Sequence, residues 1–103
     1  MINFSQKADK ILNYIVEEVE SQDRNSIFDI EHKGDVIDIE IFNSGKKYVL
    51  NKHFATNKIW LSSPITGADY FSYEPNSDTW INAYNVQLHK KLLSELLTQF
   101  NLK

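Results

Sequence analysis

The sequence predicts an α+β fold, a two-layer sandwich in which two terminal helices pack on one face of an antiparallel sheet of about six strands. Apolar residues recur with a helical period near both ends of the chain and with a period of two between them. Short turns containing Gly, Asn or Pro separate the segments, which favours strands that follow one another in an antiparallel meander. A length of 103 residues suits one small domain, so residues 1–103 are expected to form a single domain.

The first helix is predicted from about Phe4 to Asp23. Its apolar residues recur three or four positions apart and therefore form one stripe. Asn3 or Ser5 is expected to cap the first turn, because the side-chain oxygen of either residue can accept a hydrogen bond from a free backbone amide. The stripe consists of Ala8, Ile11, Leu12, Ile15, Val16 and Val19.

Six short strands are predicted between the helices. In Phe28–Glu31 and Ile37–Ile41 apolar residues alternate with acidic ones, which places each kind on its own face of the sheet. The chain is expected to turn at Lys33-Gly34 and again at Asn43-Ser44-Gly45. The other four strand candidates are Tyr48–His53, Lys58–Ser63, Tyr70–Tyr73 and Thr79–Asn82.

The second helix is predicted from about Val86 to Phe100, with Asn85 as its N-cap. Both helices need an apolar surface to cover, and one face of the sheet provides it, so the other face is left to solvent. Trp80 is expected in the core beside this helix. The apolar stripe of the helix consists of Leu88, Leu92, Leu93, Leu96, Leu97 and Phe100.

The composition excludes several classes of function. The chain has no Cys, which excludes a disulfide scaffold, a zinc finger and a thiol nucleophile. A net charge of −3 argues against a nucleic-acid binder, which needs a basic surface. No apolar run approaches the length of a membrane span and the first residues lack signal-peptide features, so a soluble cytoplasmic chain, as written or already processed, is expected. The histidines are scattered and no nucleophile–base pair or phosphate loop occurs, so no independent catalytic site is expected.

Acidic residues are concentrated at the start of the chain, where residues 1–40 contain ten Asp or Glu against four Lys or Arg. If the first helix packs beside the first strand, these carboxylates form a ridge along one edge of the fold. Carboxylate oxygens are hard ligands that suit Mg²⁺, Ca²⁺, Mn²⁺ and iron, and without His or Cys the binding would be weak. Composition alone favours the alternative, a solvated face that only aids solubility. The acidic ridge is defined by Asp9, Glu17 and Glu20 on the helix, Asp29 and Glu31 on the first strand, and Asp38 and Glu40 on the second.

A second candidate site is the strand segment around Trp60. Period-two alternation places Ile59 and Leu61 on one face and Trp60 on the other. If the aliphatic pair faces the helices, Trp60 lies on the open face near Asn51 and Lys52, as in a protein-binding hot spot. A small cluster of packed aromatic side chains is an equally good interpretation of this pattern.

The segment Asn51-Lys52-His53-x-x-x-Asn57-Lys58-Ile59-Trp60-Leu61-Ser62-Ser63-Pro64 resembles the signature of the frataxin family, whose bacterial members are called CyaY. The resemblance covers nearly the whole chain. It extends to the acidic first helix, to Trp80 and to the Val86-x-Leu88-His89-x-x-Leu92 entry into the last helix. It implies an αβ sandwich and a role in iron–sulfur cluster assembly in the bacterial cytoplasm.

The resemblance also implies partners and a metal. It implies weak binding of Fe²⁺ or Fe³⁺ at the surface carboxylates of the acidic ridge. It implies docking on a complex of a cysteine desulfurase and a cluster scaffold, with modulation of sulfur transfer and cluster formation. The sheet-face contacts would be Asn51 and Trp60, with Lys52 beside them. A monomer is expected, and the family allows iron-dependent oligomers.

Two other functions stay open at this point. One is an iron chaperone or donor that delivers Fe²⁺ through the acidic ridge, for which the family resemblance includes weak ferroxidase activity. The other is a binding module whose acidic face only solubilises it. Neutral residues at Ser5, Gln6, Asn13 and Val16, where relatives are acidic, predict a lower iron capacity, and Tyr70 stands where mitochondrial relatives carry a basic residue.

Overall fold

A computed structural model describes residues 3–100, and it confirms the predicted α+β sandwich. The six strands form one antiparallel sheet in the order β1 to β6, so each strand pairs with its neighbour in the chain. Within residues 3–100 neither helix is long and apolar enough to cross a membrane. The elements are α1 (Phe4–Gln22), β1 (Phe28–Lys33), β2 (Val36–Ile41), β3 (Lys46–His53), β4 (Lys58–Ser63), β5 (Gly67–Glu74), β6 (Thr79–Ile81) and α2 (Leu88–Phe100).

The core lies between the helices and one face of the sheet. Trp80 is 2% exposed, which confirms its predicted place in the core. Ile59 and Leu61 are buried as well, so the aliphatic pair of β4 faces the helices as expected. The other fully buried apolar side chains include Leu12, Ile15, Val19, Leu88, Leu92 and Leu96 from the helices and Ile37, Ile39, Tyr48, Leu50 and Phe71 from the sheet.

The predicted start of the second helix is wrong by two residues. The Asn82 side-chain oxygen accepts hydrogen bonds from the amides of Tyr84 and Val86 and closes the chain into a tight loop. Asn85 lies in this loop with a φ of 62°, in the left-handed region, and so it does not cap α2. Gln87 instead bridges to Ile81 on β6, and the helix begins after it.

The start of β1 is fastened to the end of α1. The two carboxylate oxygens of Asp23, which follows the helix, accept hydrogen bonds from the amides of Ile27 and Phe28, each at 2.9 Å. At the other end of the helix, the Asn3 side chain accepts from the Gln6 amide, which confirms one of the two predicted N-caps. The carboxylate clamp explains how the acidic helix is held beside β1.

A polar cluster fastens α2 to the sheet. The Glu95 carboxylate accepts hydrogen bonds from the Tyr48 hydroxyl at 3.0 Å, from Ser63 at 2.6 Å and from Thr66 at 2.9 Å. Burial, together with the neighbouring Glu95 carboxylate, raises the pKa of the Tyr48 phenol well above its usual value. Three elements, β3, β4 and the β4–β5 turn, are thereby joined to one side chain of the helix.

The burial of His89 predicts how the stability of the fold depends on pH. Burial, with a smaller effect from Lys90, lowers the pKa of its imidazole, whose Nδ1 has no hydrogen-bond partner within residues 3–100. The unfolded chain therefore binds a proton at His89 more readily than the folded one. The contribution of the neutral ring to the stability of the fold is fully present above the ordinary histidine pKa of about 6.5. It is lost as pH falls through the lower pKa that His89 has in the folded state.

Urea unfolding at pH 7 and pH 5.5 checks this expectation. The free energy of unfolding of His89→Phe should fall less between the two pH values than that of the unaltered chain. His32→Gln, which changes an exposed histidine, is the matched control and should follow the unaltered chain. An unchanged pH slope in His89→Phe would contradict the assignment.

Candidate functional site

The strand carboxylates of the acidic ridge lie together on the open face, the face turned away from the helices. Asp29 on β1 is directly opposite Glu40 on β2, and Glu31 is directly opposite Asp38. The prediction that the two carboxylates of each strand share one face of the sheet is therefore confirmed. The register also brings the four carboxylates together as two cross-strand pairs. Like charges directly opposite each other in a sheet repel.

Two lysines that sequence reasoning missed partly neutralise these pairs. Lys33 Nζ lies 3.3 Å from Glu31 Oε1 and 3.7 Å from Asp38 Oδ2, and Lys47 Nζ on β3 lies 3.6 Å from the same Asp38 oxygen. The hydrogen bond to Glu31 and the adjacent carboxylates raise the pKa of Lys33. Alternation alone places Lys33 on the same face of β1 as Glu31, whereas the position of Lys47 depends on the strand register, in which it is opposite Glu40.

The helix carboxylates of the acidic ridge do not join the strand carboxylates in one compact cluster. Glu17 and Glu20 are exposed on α1. Among residues 3–100 no group of three or more His, Asp or Glu side chains is arranged to hold a metal ion. The ridge is therefore an extended surface of oxygen donors, chemically suited to iron but without the converging ligands that make binding tight.

Lys52 lies on the opposite side of the sheet from Asn51 and Trp60. Its Nζ lies 2.6 Å from Asp9 Oδ1 and 3.5 Å from Asp35 Oδ1, and its side chain is only 8% exposed. The expectation that Lys52 lies beside the other two residues on the open face is wrong, because successive strand residues point to opposite faces. Alternation could have shown this, since Asn51 faces the open side.

The same contact changes the interpretation of Asp9. Its carboxylate is the nearest counter-ion of a buried cation, and its hydrogen bond is the main cause that raises the pKa of Lys52. Asp9 therefore helps to hold α1 against β3. Binding of iron at Asp9, which stays a prediction, would have to compete with this ion pair.

The aromatic patch, defined as Asn51, His53, Trp60 and Tyr70, occupies the centre of the open face. Asn51 is opposite Trp60, and Trp60 is opposite Tyr70, so the residues form one row across β3, β4 and β5. The His53 ring stacks on Trp60 with centroids 4.0 Å apart, and the Tyr70 ring meets Trp60 edge-on at 5.1 Å. A shallow cavity of about 300 Å³ lies against Trp60, Tyr70 and Asn51. Trp60 is thus on the open face as predicted, half-buried by its aromatic neighbours.

Removing one strand carboxylate should stabilise the fold. We expect Asp29→Asn to raise the free energy of unfolding by about 0.5 kcal/mol, because Asp29 is directly opposite Glu40. Thermal unfolding at low and high salt measures the effect, which should shrink as salt screens the repulsion. The matched control Asp23→Asn should destabilise by about 1 kcal/mol, since Asp23 accepts two backbone hydrogen bonds. A loss of stability in Asp29→Asn would contradict the prediction.

Comparison with known proteins identifies a family for this chain. The model of the frataxin-like domain matches residues 1–102. The chain is 32% identical over 97 residues to the mitochondrial frataxin of Arabidopsis thaliana, covering 90% of this chain and 51% of the relative, so it spans about half of that protein. It is 33% identical over 81 residues to the iron–sulfur cluster assembly protein CyaY of Thioalkalivibrio sulfidiphilus, covering 79% of this chain and 74% of the relative.

Solved structures agree. The frataxin of Psychromonas ingrahamii superposes with a TM-score of 0.82 at 20% identity, covering 97% of this chain and 90% of that one, which supports the fold. A trimeric frataxin of Saccharomyces cerevisiae, solved in complex with ferrous iron, superposes with a TM-score of 0.73 at 29% identity, covering 87% of this chain and 81% of that one. By sequence over nearly its whole length, and by the two helices on a six-stranded meander, the chain belongs to the frataxin family.

Proposed function

We propose that this protein acts in iron–sulfur cluster assembly by docking on a complex of a cysteine desulfurase and a cluster scaffold and modulating sulfur transfer. One observation carries the proposal. The open face of a single sheet presents two chemically different surfaces side by side, the paired carboxylates of β1 and β2 and the aromatic patch of β3 to β5. Neither surface is covered by the helices.

The acidic surface favours a basic partner. The carboxylates of β1 and β2, together with Glu17 and Glu20 on α1, outnumber the lysines that contact them. Such a surface steers a basic protein toward it and makes the association rate depend on salt. The side chains of Lys33 and Lys47 are exposed, so a partner's cations can replace them.

The aromatic patch favours a partner that buries an apolar side chain. Trp60 is fixed by His53 and Tyr70 and therefore loses little side-chain freedom on binding. A tryptophan held in this way, with amide hydrogen-bonding groups from Asn51 beside it, has the character of a binding hot spot. Measured across the strands, the centres of the two surfaces are two and a half strand spacings apart, about 12 Å, so one partner or two adjoining subunits can contact both.

A second function, delivery of Fe²⁺ as cargo, is supported by the ferrous complex of the yeast relative and by the carboxylate pairs here. Oxygen donors without a converging set bind Fe²⁺ weakly, since Fe²⁺ is low in the order of divalent affinities. Weak binding is compatible with release to an acceptor.

Cluster formation in a mixture of desulfurase, scaffold, cysteine and Fe²⁺ separates the two functions. The protein is added or omitted at limiting and at saturating iron. An effect that persists at saturating iron supports modulation of sulfur transfer, and an effect that vanishes there supports iron delivery. No effect at either level would contradict both.

The acidic contact is tested with the double variant Glu17→Gln/Glu20→Gln, which leaves the Asp9–Lys52 ion pair intact. We expect weaker docking and a smaller salt dependence than in the unaltered protein. The control Glu18→Gln/Glu74→Gln removes the same charge elsewhere on the surface and should dock normally. Equal affinities of the two double variants would exclude Glu17 and Glu20 from the docking surface.

A further inference from the structure

The two edges of the sheet differ in how they end. Strand β6 has three residues, and the chain after it returns alongside, through the Ile81–Gln87 bridge and a hydrogen bond from the Asn82 amide to the Val86 carbonyl. Strand β1 has six residues in uninterrupted register with β2, and no other strand within residues 3–100 pairs with its outer side. The β1 edge is thus the open one.

The alternation of backbone hydrogen bonds along β1 shows which of its N–H and C=O groups can bind a further strand. The Phe42 amide donates to the Ile27 carbonyl at 2.7 Å. The backbone carbonyl of Ile27, and the backbone groups of every second residue after it, therefore point toward β2. The residues between them, Phe28, Ile30 and His32, point their backbone groups outward. The Phe28 amide is already bound to the Asp23 carboxylate, which leaves the amides of Ile30 and His32 and the three carbonyls to bind an added strand.

Common devices that protect sheet edges are weak on β1. It contains no Pro and no bulge, and its one lysine, Lys33, is at the end of the strand. Its protection is charge, because Asp29 and Glu31 project on the open face. A second copy of β1 would place these carboxylates next to identical ones, which disfavours pairing between two copies of this chain.

We propose that the β1 edge accepts an extended basic segment of a partner protein as a seventh strand. Residues of that segment that face the open side would lie next to Asp29 and Glu31, which selects Lys or Arg there. Residues that face the helix side would lie beside Phe28 and the half-buried Ile30, which selects aliphatic side chains. The segment therefore alternates basic and aliphatic residues, and main-chain hydrogen bonds supply part of its affinity.

Two synthetic nine-residue peptides of alternating Arg and Val test the proposal, followed by fluorescence anisotropy and by backbone amide shifts of the full chain. One peptide is unmodified, and the other has N-methyl groups on the alternate amides that would face β1. They have the same charge, so a purely electrostatic contact binds both equally. We expect the unmodified peptide to bind at least about tenfold more tightly and to protect the Ile30 and His32 amides from exchange.

A protein variant tests the same hydrogen bonds from the other side. His32→Pro removes an outward amide from an exposed position, which an edge strand tolerates, and His32→Ala keeps that amide. We expect His32→Pro to weaken peptide binding about tenfold and His32→Ala to bind within twofold of the unaltered chain. If His32→Pro does not fold, the peptide pair still decides.

Equal binding of the two peptides, no binding, or shifts confined to the aromatic patch would overturn the proposal. The inference deepens the proposed function and rests on it for the source of the segment. The outcomes remain separable, because peptide binding uses no desulfurase or scaffold. Failure of peptide binding with normal docking on the complex removes only the edge contact, and peptide binding without docking removes the proposed function.

Discussion

Trp60→Ala is expected to weaken docking on the desulfurase–scaffold complex by at least about 30-fold, equivalent to about 2 kcal/mol. The ring lies at the centre of the aromatic patch, between His53 and Tyr70, and it is held in place before any partner arrives. Its loss removes the largest apolar contact on the open face. Titration of the labelled variant into the complex measures the affinity.

The fold itself should tolerate this change. Trp60 is on the face opposite the core, so we expect a loss of no more than about 1 kcal/mol in the free energy of unfolding. Tyr84→Ala is the matched control, since Tyr84 is 85% exposed on a loop outside the patch, and it should dock normally. Docking of Trp60→Ala within threefold of the unaltered protein would show that the partner binds elsewhere.

Glu95→Ala is expected to lower the free energy of unfolding by about 3 kcal/mol. The substitution leaves Tyr48 and Ser63, both buried, without the carboxylate that accepts their hydrogen bonds. An unsatisfied buried hydroxyl costs about 1–3 kcal/mol, and hydrogen bonds to a charged group are the stronger kind. Urea unfolding followed by tryptophan fluorescence measures the change.

Two further variants make this prediction specific. Glu95→Gln keeps an acceptor and should lose about half as much stability. Glu20→Ala removes the same type of residue from an exposed helix position and should change stability by less than about 0.5 kcal/mol. A loss below about 1 kcal/mol in Glu95→Ala would mean that solvent replaces the acceptor.

The fold could be predicted because each element has a complete local pattern. The stripe from Ala8 to Val19 and the alternation in β1 and β2 define both the elements and the faces they bury. The start of α2 could not be predicted in this way. The loop before it is shaped by the Asn82 side chain, whose hydrogen bonds to Tyr84 and Val86 override the capping tendency of Asn85.

The sequence predicts which face of the sheet most site residues occupy, but not which side chains contact one another. Alternation placed Trp60 on the open face, and applied one residue at a time it would also have placed Lys52 on the other. The pairing of Asp29 with Glu40 and the approach of Lys47 to Asp38 depend on register. Register is set by the turns, and the β1–β2 turn is formed by Gly34, with a φ of 56°, and Asp35, one residue later than the predicted Lys33-Gly34.

The sequential strand order also governs how the molecule assembles. Every strand pairs with the strand next to it in the chain, so most sheet contacts have low contact order and each hairpin can close early. Contacts of high sequence separation include those that bring α1 to the far edge, such as Phe4 with Trp80 and Lys10 with Asp78. Closing a loop of that length is entropically costly, so we expect α1 to dock late in folding, on a sheet that is already formed. Substitutions at the N-terminal end of α1 should then change mainly the rate of unfolding and leave the folding rate nearly unaltered.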